Sequence, residues 1–390
     1  MKRFLPLVIL GAASLVYGLS AQAAGPASDW PALNGGGAQT NANLTETSLT
    51  PGSIHSLHVI WAVPVPYASY PVVAAGLVYV PVTAGKSTEA AALNASTGKV
   101  VARYKAGAAG GILIAGGKLY LAGRSLQVFD PVAGTPLASI SASPRVSRST
   151  FAYPLADRHI VIAGYAPETS GLPNSVYAVD PAADQLLWHI PSLSAQAALV
   201  HGRVLDLLSS GSAFFNERGR QLASQPALFG DWFGGPLSYI VASVSSRDTR
   251  VYAYTAAGSL QWSRRVGPAM STQGWAHAVS PSGLYVMTEQ PEGVVALSPS
   301  TGTVLWHHAL PGIERLAYAN TMVFALTAGV GQPVKLVVYR AVSGKLIGAV
   351  QLSAGYDAFP SLNELMVADG MVFIRANAPT NQSMLVALAP

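Results

Sequence analysis

Among the acids that could move protons or hold a hard cation, Glu89, Glu168, Asp231, Glu289, Glu314, Asp357 and Glu364 are dispersed over the chain. A proton-transfer site or an oxygen cage needs several such groups converging on one atom. His307 and His308 are adjacent, but neighbours on a strand point to opposite faces and cannot chelate one metal together. His55, His58 and His189 read as surface residues. The Gly-rich run from Gly107 to Gly117 has no Lys-Ser/Thr pair or helix after it, so it is no phosphate cradle. The chain contains no Cys, which excludes disulfides, thiolate metal sites, a Cys nucleophile and a lipid anchor on cysteine. No Ser sits in a nucleophile elbow. What remains is aromatic: Tyr70, Tyr153, Trp232-Phe233, Trp275, Tyr318 and Phe359, accompanied by Asp231, His277, Arg315 and Asp357. Rings with a few polar neighbours suit recognition of another molecule, because they bury much area at small entropic cost.

The elements that must carry these residues announce themselves by a repeated turn. Ala296-Leu297-Ser298-Pro299-Ser300-Thr301-Gly302-Thr303-Val304-Leu305-Trp306 matches the stretch from Ala178 to Trp188, and weaker copies end at Gly98, Gly134, Gly219, Gly258 and Gly344. Asn, Asp or Ser opens each turn through side-chain bonding to the backbone, and Gly closes it with a positive φ. The flanking runs, such as Gly76-Leu77-Val78-Tyr79-Val80, are β-branched or aromatic and too short for helices. An eighth copy, Ala387-Leu388-Ala389-Pro390, lacks its following strand, and His58-Val59-Ile60-Trp61-Ala62-Val63 supplies one from the other terminus. The pattern predicts an all-β chain: an eight-bladed β-propeller of four-stranded antiparallel blades, closed by an N-terminal strand completing the last blade. The blades run about 68–107, 108–143, 149–193, 194–226, 229–267, 272–312, 313–353 and 355–390, the last completed by 57–66, in a single domain spanning 57–390. In such a ring the aromatic residues precede the innermost strands, near one mouth of the central channel, where they either receive a partner or plug the channel.

Residues Met1 to Ala23 read as a secretory signal: Lys2 and Arg3, an apolar stretch from Phe4 to Leu19, then Ala21-Gln22-Ala23. Residues 24–56 form a polar, Gly- and Asn-rich lead-in. The formal net charge is +5, and removing Lys2 and Arg3 leaves +3. The basic residues are scattered, without the clustered footprint of a nucleic-acid binder. Only 11% of residues are charged, few for a soluble surface.

Asp29-Trp30-Pro31, Gly35-Gly36, Leu49-Thr50-Pro51 and Leu57 to Trp61, followed by Pro71-Val72-Val73 and the Thr-Gly-x-x-x-Trp turn, resemble the N-terminal segment and repeats of quinoprotein-type propellers. The resemblance spans nearly all of the chain after the signal. That family includes dehydrogenases using pyrroloquinoline quinone and calcium, and non-catalytic members such as the propeller lipoprotein of the outer-membrane barrel-assembly machinery. It implies that Trp61, Trp188, Trp262 and Trp306 pack between blades. Against the enzymes, Ala68 stands where they carry an acidic cofactor contact, their adjacent cysteines are missing, and the blades are nearly bare of insertions. The resemblance therefore implies a non-catalytic, cofactor-free scaffold, periplasmic or secreted in a bacterium. Its partner would be another envelope protein or a peptide segment, with no nucleic acid and no membrane span after signal cleavage. The alternative is a divergent quinone-dependent alcohol, aldehyde or sugar dehydrogenase holding pyrroloquinoline quinone and calcium.

Overall fold

The computed structural model describes residues 29–390 except 67–69, 85–86, 106–110, 142–148, 158, 168–173, 193–196, 209–210, 227–229, 246–247, 269–276, 290, 329–332, 353–363 and 379–381. Its strands form eight four-stranded antiparallel blades, each running from the channel outwards, and Ala42–Asn43 of the lead-in adds a fifth, parallel strand to the sheet of blade 7. The eight are blade 1 (72–104), blade 2 (111–140), blade 3 (149–192), blade 4 (197–226), blade 5 (230–267), blade 6 (277–309), blade 7 (313–351) and blade 8 (365–389). His58–Pro64 pairs with Ser383–Ala389 and completes blade 8, so the ring closes across its two ends.

The turn before each outer strand is built as its residues dictate. Asp130 accepts the Val132 and Ala133 N–H groups on one carboxylate oxygen, each at 2.8 Å, and Gly134 donates its N–H to the Asp130 carbonyl. Gly98, Gly134, Gly302 and Gly344 close their turns at φ between 67° and 69°, a region costly for side chains. Blade 3 closes on Asp184 instead, at φ 53°. A one-residue bulge follows in all eight blades and re-aims the next side chain.

Where that residue is Trp, it crosses to the next blade. Trp61, Trp188, Trp262 and Trp306 donate their indole N–H to the carbonyls of Ala95, Glu217, Pro299 and Ala341, at 2.7, 2.7, 3.1 and 2.8 Å. Each ring lies on the turn glycine of that neighbour: Gly98, Gly219, Gly302 and Gly344 have no room for a Cβ beneath the indole. The glycine thus serves both the turn and the seam. Four seams lack the indole, and three of them reach the next turn differently. Tyr104 donates to the Pro131 carbonyl at 2.6 Å. Lys118 donates to the Pro181 carbonyl and the Asp184 carboxylate, each at 2.8 Å. Gln225 donates to the Gly258 carbonyl at 3.1 Å. The fourth seam, at Gly348, is filled by Ile54 and His55 of the short 3-10 turn Ile54–Ser56.

The lead-in lies across the ring, against the ends of the innermost strands. Trp30 exchanges two backbone hydrogen bonds with Val73 of blade 1, at 2.7 and 2.9 Å. The carbonyls of Pro31, Gly37, Ala38, Thr40 and Asn41 then accept from Ile114, Leu199, Gly234, Val279 and Tyr318, in blades 2, 4, 5, 6 and 7. Gly37 packs on blade 3, where a Cβ would run into the Ala156 carbonyl oxygen. Asn43 and Glu46 reach blade 8 through the Val367 carbonyl and the Gly370 N–H, both at 2.9 Å. Seventeen residues, 30–46, touch all eight blades in order. Most of the contacts of this strap from Trp30 to Asn41 are main-chain, with Gly37 required by the close approach to Ala156 and the side chains of Asn43 and Glu46 making the last ones.

Candidate functional site

At the other end the innermost strands begin. In blade 7 the short connection Pro311-Gly312 is tied down from both sides. The Gly312 N–H donates to the Glu292 carboxylate at 2.8 Å, and its carbonyl accepts from Ala328 at 2.6 Å. The innermost strand Ile313–Ala319 then bulges between Ile313 and Arg315, and Glu314 is the extra residue. Bulges of this kind redirect one side chain. Glu314 is half-buried, and burial holds its carboxyl up at about 7; Arg315 pulls the other way and Glu292 adds to the rise. The Arg315 Nη1 donates to the Glu314 carbonyl at 2.8 Å.

In blade 8, Glu364 stands immediately before the innermost strand Leu365–Ala368, 8% exposed. Its carbonyl accepts the Arg375 N–H at 3.1 Å. Burial raises its carboxyl to about 6, against the opposing charges of Arg315 and Arg375. Arg375, 3% exposed, is the one charge inside the apolar strand Met371–Asn377. Carboxyl groups held at about 6 and 7 beside guanidinium groups give this mouth charge that changes near neutrality.

Of the aromatic constellation, Trp232, Phe233 and Tyr318 do not gather there. Trp232 and Phe233 lie within the innermost strand Gly230–Phe233 rather than before it, and both are buried. Trp232 packs edge-on against Phe214 at 5.1 Å and against Tyr254 at 5.7 Å, inside the seam between blades 4 and 5. That seam carries only Ala223 at the outer tryptophan position, so Trp232 supplies bulk from within. Phe233 stacks on His277 at 3.9 Å and on Tyr239 at 5.6 Å. His277, 3% exposed, shares a hydrogen bond of 2.7 Å with the Gln39 carbonyl of the strap. Tyr318 stacks on Tyr285 between blades 6 and 7, its backbone held by the strap. These four side chains are therefore interior packing, two of them at the strapped end, and they do not present a surface to a partner. Tyr70, Asp231 and Arg315 are half-buried at the open end. Trp275, Asp357, Phe359 and the side chain of Tyr153 lie outside the described residues. Ala68, the position read against the enzymes' acidic contact, does as well.

Sequence reasoning passed over Glu314, Glu364 and Arg375 as members of one site. Their signal was a charge set beside or within an apolar strand core, which burial makes expensive unless it has a use.

A quinone–calcium pair would need several oxygen ligands around one cation. Among the described residues no three His, Asp or Glu side chains lie together in a way that could hold a metal ion. Of the carboxyls described at this end, Glu314 and Glu364 stand in the field of Arg315.

Eight repeat-built blades, clamped by indoles on neighbouring turns and strapped at one end, define a β-propeller of the quinoprotein-repeat class. A family model described as outer membrane protein assembly factor BamB matches residues 53–220 and 247–346, well over half of the chain. The chain belongs to this family of propellers. No curated protein matches it in sequence. In solved structures it is similar to the quinohemoprotein alcohol dehydrogenase ADHIIG of Pseudomonas putida HK5 (12% identity, 93% of this chain and 80% of that one, TM-score 0.63). The quinohemoprotein alcohol dehydrogenase of Comamonas testosteroni is similar to the same extent (12%, 93% and 80%, TM-score 0.62). BamB from Moraxella catarrhalis matches at 13% identity over 86% of this chain and 98% of that one, TM-score 0.57. At such identities the likeness is one of fold. Among the described residues no helix is long and apolar enough to cross a membrane.

Proposed function

We propose that this protein is a non-catalytic, exported scaffold that binds another protein of the bacterial envelope at the open end of its channel. The observation that carries the reading is the mouth itself. The strap occupies one end of the ring, while the other presents Glu314 and Arg315, positioned by a bulge and a tied-down turn, with Tyr70 and Asp231 half-buried on other blades. The family's description as an assembly factor supports the choice of partner. The signal-like stretch from Met1 to Ala23 supports a periplasmic or secreted location. Fold alone settles none of this, since one fold hosts many functions.

The test is a cross-linked pull-down from envelope extract with wild type and an Arg315→Ala/Asp231→Ala variant shown to fold. One defined envelope protein, retained by wild type and lost by the variant, is the expected result. Incubation with pyrroloquinoline quinone and Ca²⁺ runs in parallel. A stoichiometric bound chromophore with dye-linked alcohol oxidation would replace this reading by the dehydrogenase alternative.

A further inference from the structure

We infer that the cavity under the strap, between blades 2 and 3, is a binding site for a small, neutral, apolar molecule with one hydrogen-bond acceptor, which the Tyr120 hydroxyl receives. The cavity lies at the opposite end of the ring from the open mouth, so this inference and the scaffold reading stand or fall separately.

The cavity has a volume of about 520 Å³. Small-molecule sites occupy about 300–1,000 Å³ and combine apolar walls with a few placed polar groups. Leu113 and Ile114 of blade 2, with Val161 and Pro181 of blade 3, form the walls here, and the strap adds Pro31 and Ala32. The strap is not tightly packed over this space. Gly36 also lines it, and a Cβ there would meet nothing within 4 Å.

Tyr120 is the independent sign that a polar group belongs beside these walls. Its side chain is fully buried, yet among the described residues its hydroxyl has no hydrogen-bond partner. A buried tyrosine hydroxyl normally finds one, and leaving it unpaired is costly. Tyr239 and Tyr285 hold the same place on the second strands of blades 5 and 6, each paired with the residue two before the next turn opens. Both reach the turn of the following blade: Tyr239 donates to the Pro299 carbonyl at 3.1 Å and Tyr285 to the Ala341 carbonyl at 3.4 Å. The corresponding carbonyl for Tyr120 is that of Pro181, and it accepts the Lys118 ammonium at 2.8 Å instead. The phenol thus stands against the cavity wall on both sides. Leu113 is its strand partner, and Asp184 and Asp180, which bracket Pro181, act on its hydroxyl. Burial first, then these two carboxylates, raise its pKa, so it keeps its proton and offers a donor. An anion would be opposed by Asp157, Asp180 and Asp184. A cation would find the same carboxylates engaged, Asp184 by Lys118 and the other two by a pair of backbone N–H groups each. A ketone, ester or amide carbonyl on an apolar body meets neither objection.

The experiment uses the full-length exported protein and Nile red, a neutral apolar dye with one ring carbonyl, whose fluorescence reports occupancy. Two competitors of similar size, 2-acetylnaphthalene and 2-ethylnaphthalene, differ in the carbonyl. The expected result is one-to-one dye binding with a Kd of about 10 μM or tighter. Tyr120→Phe should lower the preference for the acetyl over the ethyl compound by about fivefold. Ile114→Trp, which fills the cavity, should abolish dye binding in a protein that its melting curve shows to be folded. Without any ligand, Tyr120→Phe should unfold at the wild-type midpoint or above, because it removes a hydroxyl that has no partner. Tyr239→Phe removes a bond that is made, so it should unfold at a lower midpoint and leave dye binding unchanged. No saturable binding at about 100 μM, or an acetyl preference equal in wild type and Tyr120→Phe, overturns the inference. So does dye binding that survives in folded Ile114→Trp. A Tyr120→Phe midpoint lowered as far as that of Tyr239→Phe overturns it too, by showing that water or protein already pairs the hydroxyl.

Discussion

Stability should fall as pH rises through neutrality, against the habit of proteins whose carboxylates are stabilised by folding. An ordinary glutamate titrates near 4.5, whereas Glu364 is held up at about 6 and Glu314 at about 7. Between these values the folded protein binds more protons than the unfolded chain, so the slope of unfolding free energy against pH is negative. The stabilising protonated forms are fully present below pH 4.5 and are lost as pH climbs through 6 and then 7. For Glu364 the gap corresponds to about 2 kcal/mol. For Glu314 the larger gap must be discounted, because solvent reaches the half-buried group, and a contribution of about 1–2 kcal/mol is the reasonable expectation. Urea unfolding at pH 5, 6, 7 and 8 should therefore show a loss of roughly 2 kcal/mol across the series, with an unchanged m-value. Glu314→Gln/Glu364→Gln should flatten the curve and be the more stable protein at pH 8. A wild-type curve that rises from pH 5 to 8, or a double variant no more stable at pH 8, would refute the assignment of both carboxyls to a desolvated mouth.

Three further outcomes follow from the packing. Deleting residues 57–66 removes the strand that completes blade 8 and should abolish cooperative unfolding; a truncated protein melting like the intact one contradicts closure by His58–Pro64. Trp306→Ala should lose about 3–5 kcal/mol, since the indole is buried on Gly344 and bonded to Ala341, while His307→Ala, exposed on the same strand, should stay within about 0.5 kcal/mol. Equal denaturation midpoints for the pair would rule that out. Gly37→Ala forces a Cβ against the Ala156 carbonyl and should destabilise by about 1–3 kcal/mol, seen as a lowered midpoint and faster proteolysis of the lead-in.

The ring was legible because its signal is local and repeated. Asp130, Asp180 and Asn216 do in the structure what their side chains dictate in any turn, and the four tryptophans follow at a fixed spacing from it. The site was not legible in the same way. Trp232 and Phe233 read as residues ahead of a strand, but the strand starts at Gly230, and that shift moves both rings from a channel mouth into a seam. Strand geometry is unforgiving here, because a slip of one residue exchanges faces. Glu314 was hidden for the converse reason: a bulge, invisible to any period-two pattern, aims it. The strap carries no periodicity, since its carbonyls rather than its side chains make most of its contacts.

The indole clamps are unevenly spread around the circle, and this makes the ring mechanically uneven. Trp306 and Trp262 serve consecutive seams, and Trp61 and Trp188 two more, but the seams on either side of blade 2 have Ala102 and Ala138 where an indole would stand. Blade 2 is the only blade with no tryptophan clamp on either flank. It is held instead by the Tyr104 hydroxyl on one side and the Lys118 ammonium on the other. A cavity of about 520 Å³, lined by Leu113, Ile114, Ala156 and Val161, opens beside it under the strap. A closed circle under thermal or mechanical load parts at its weakest joint, and here that joint is not the seam between the chain's two ends, which Trp61 crosses. The first amides to exchange in a native-state experiment should be those of 111–140, with the arc from blade 3 round to blade 8 still intact.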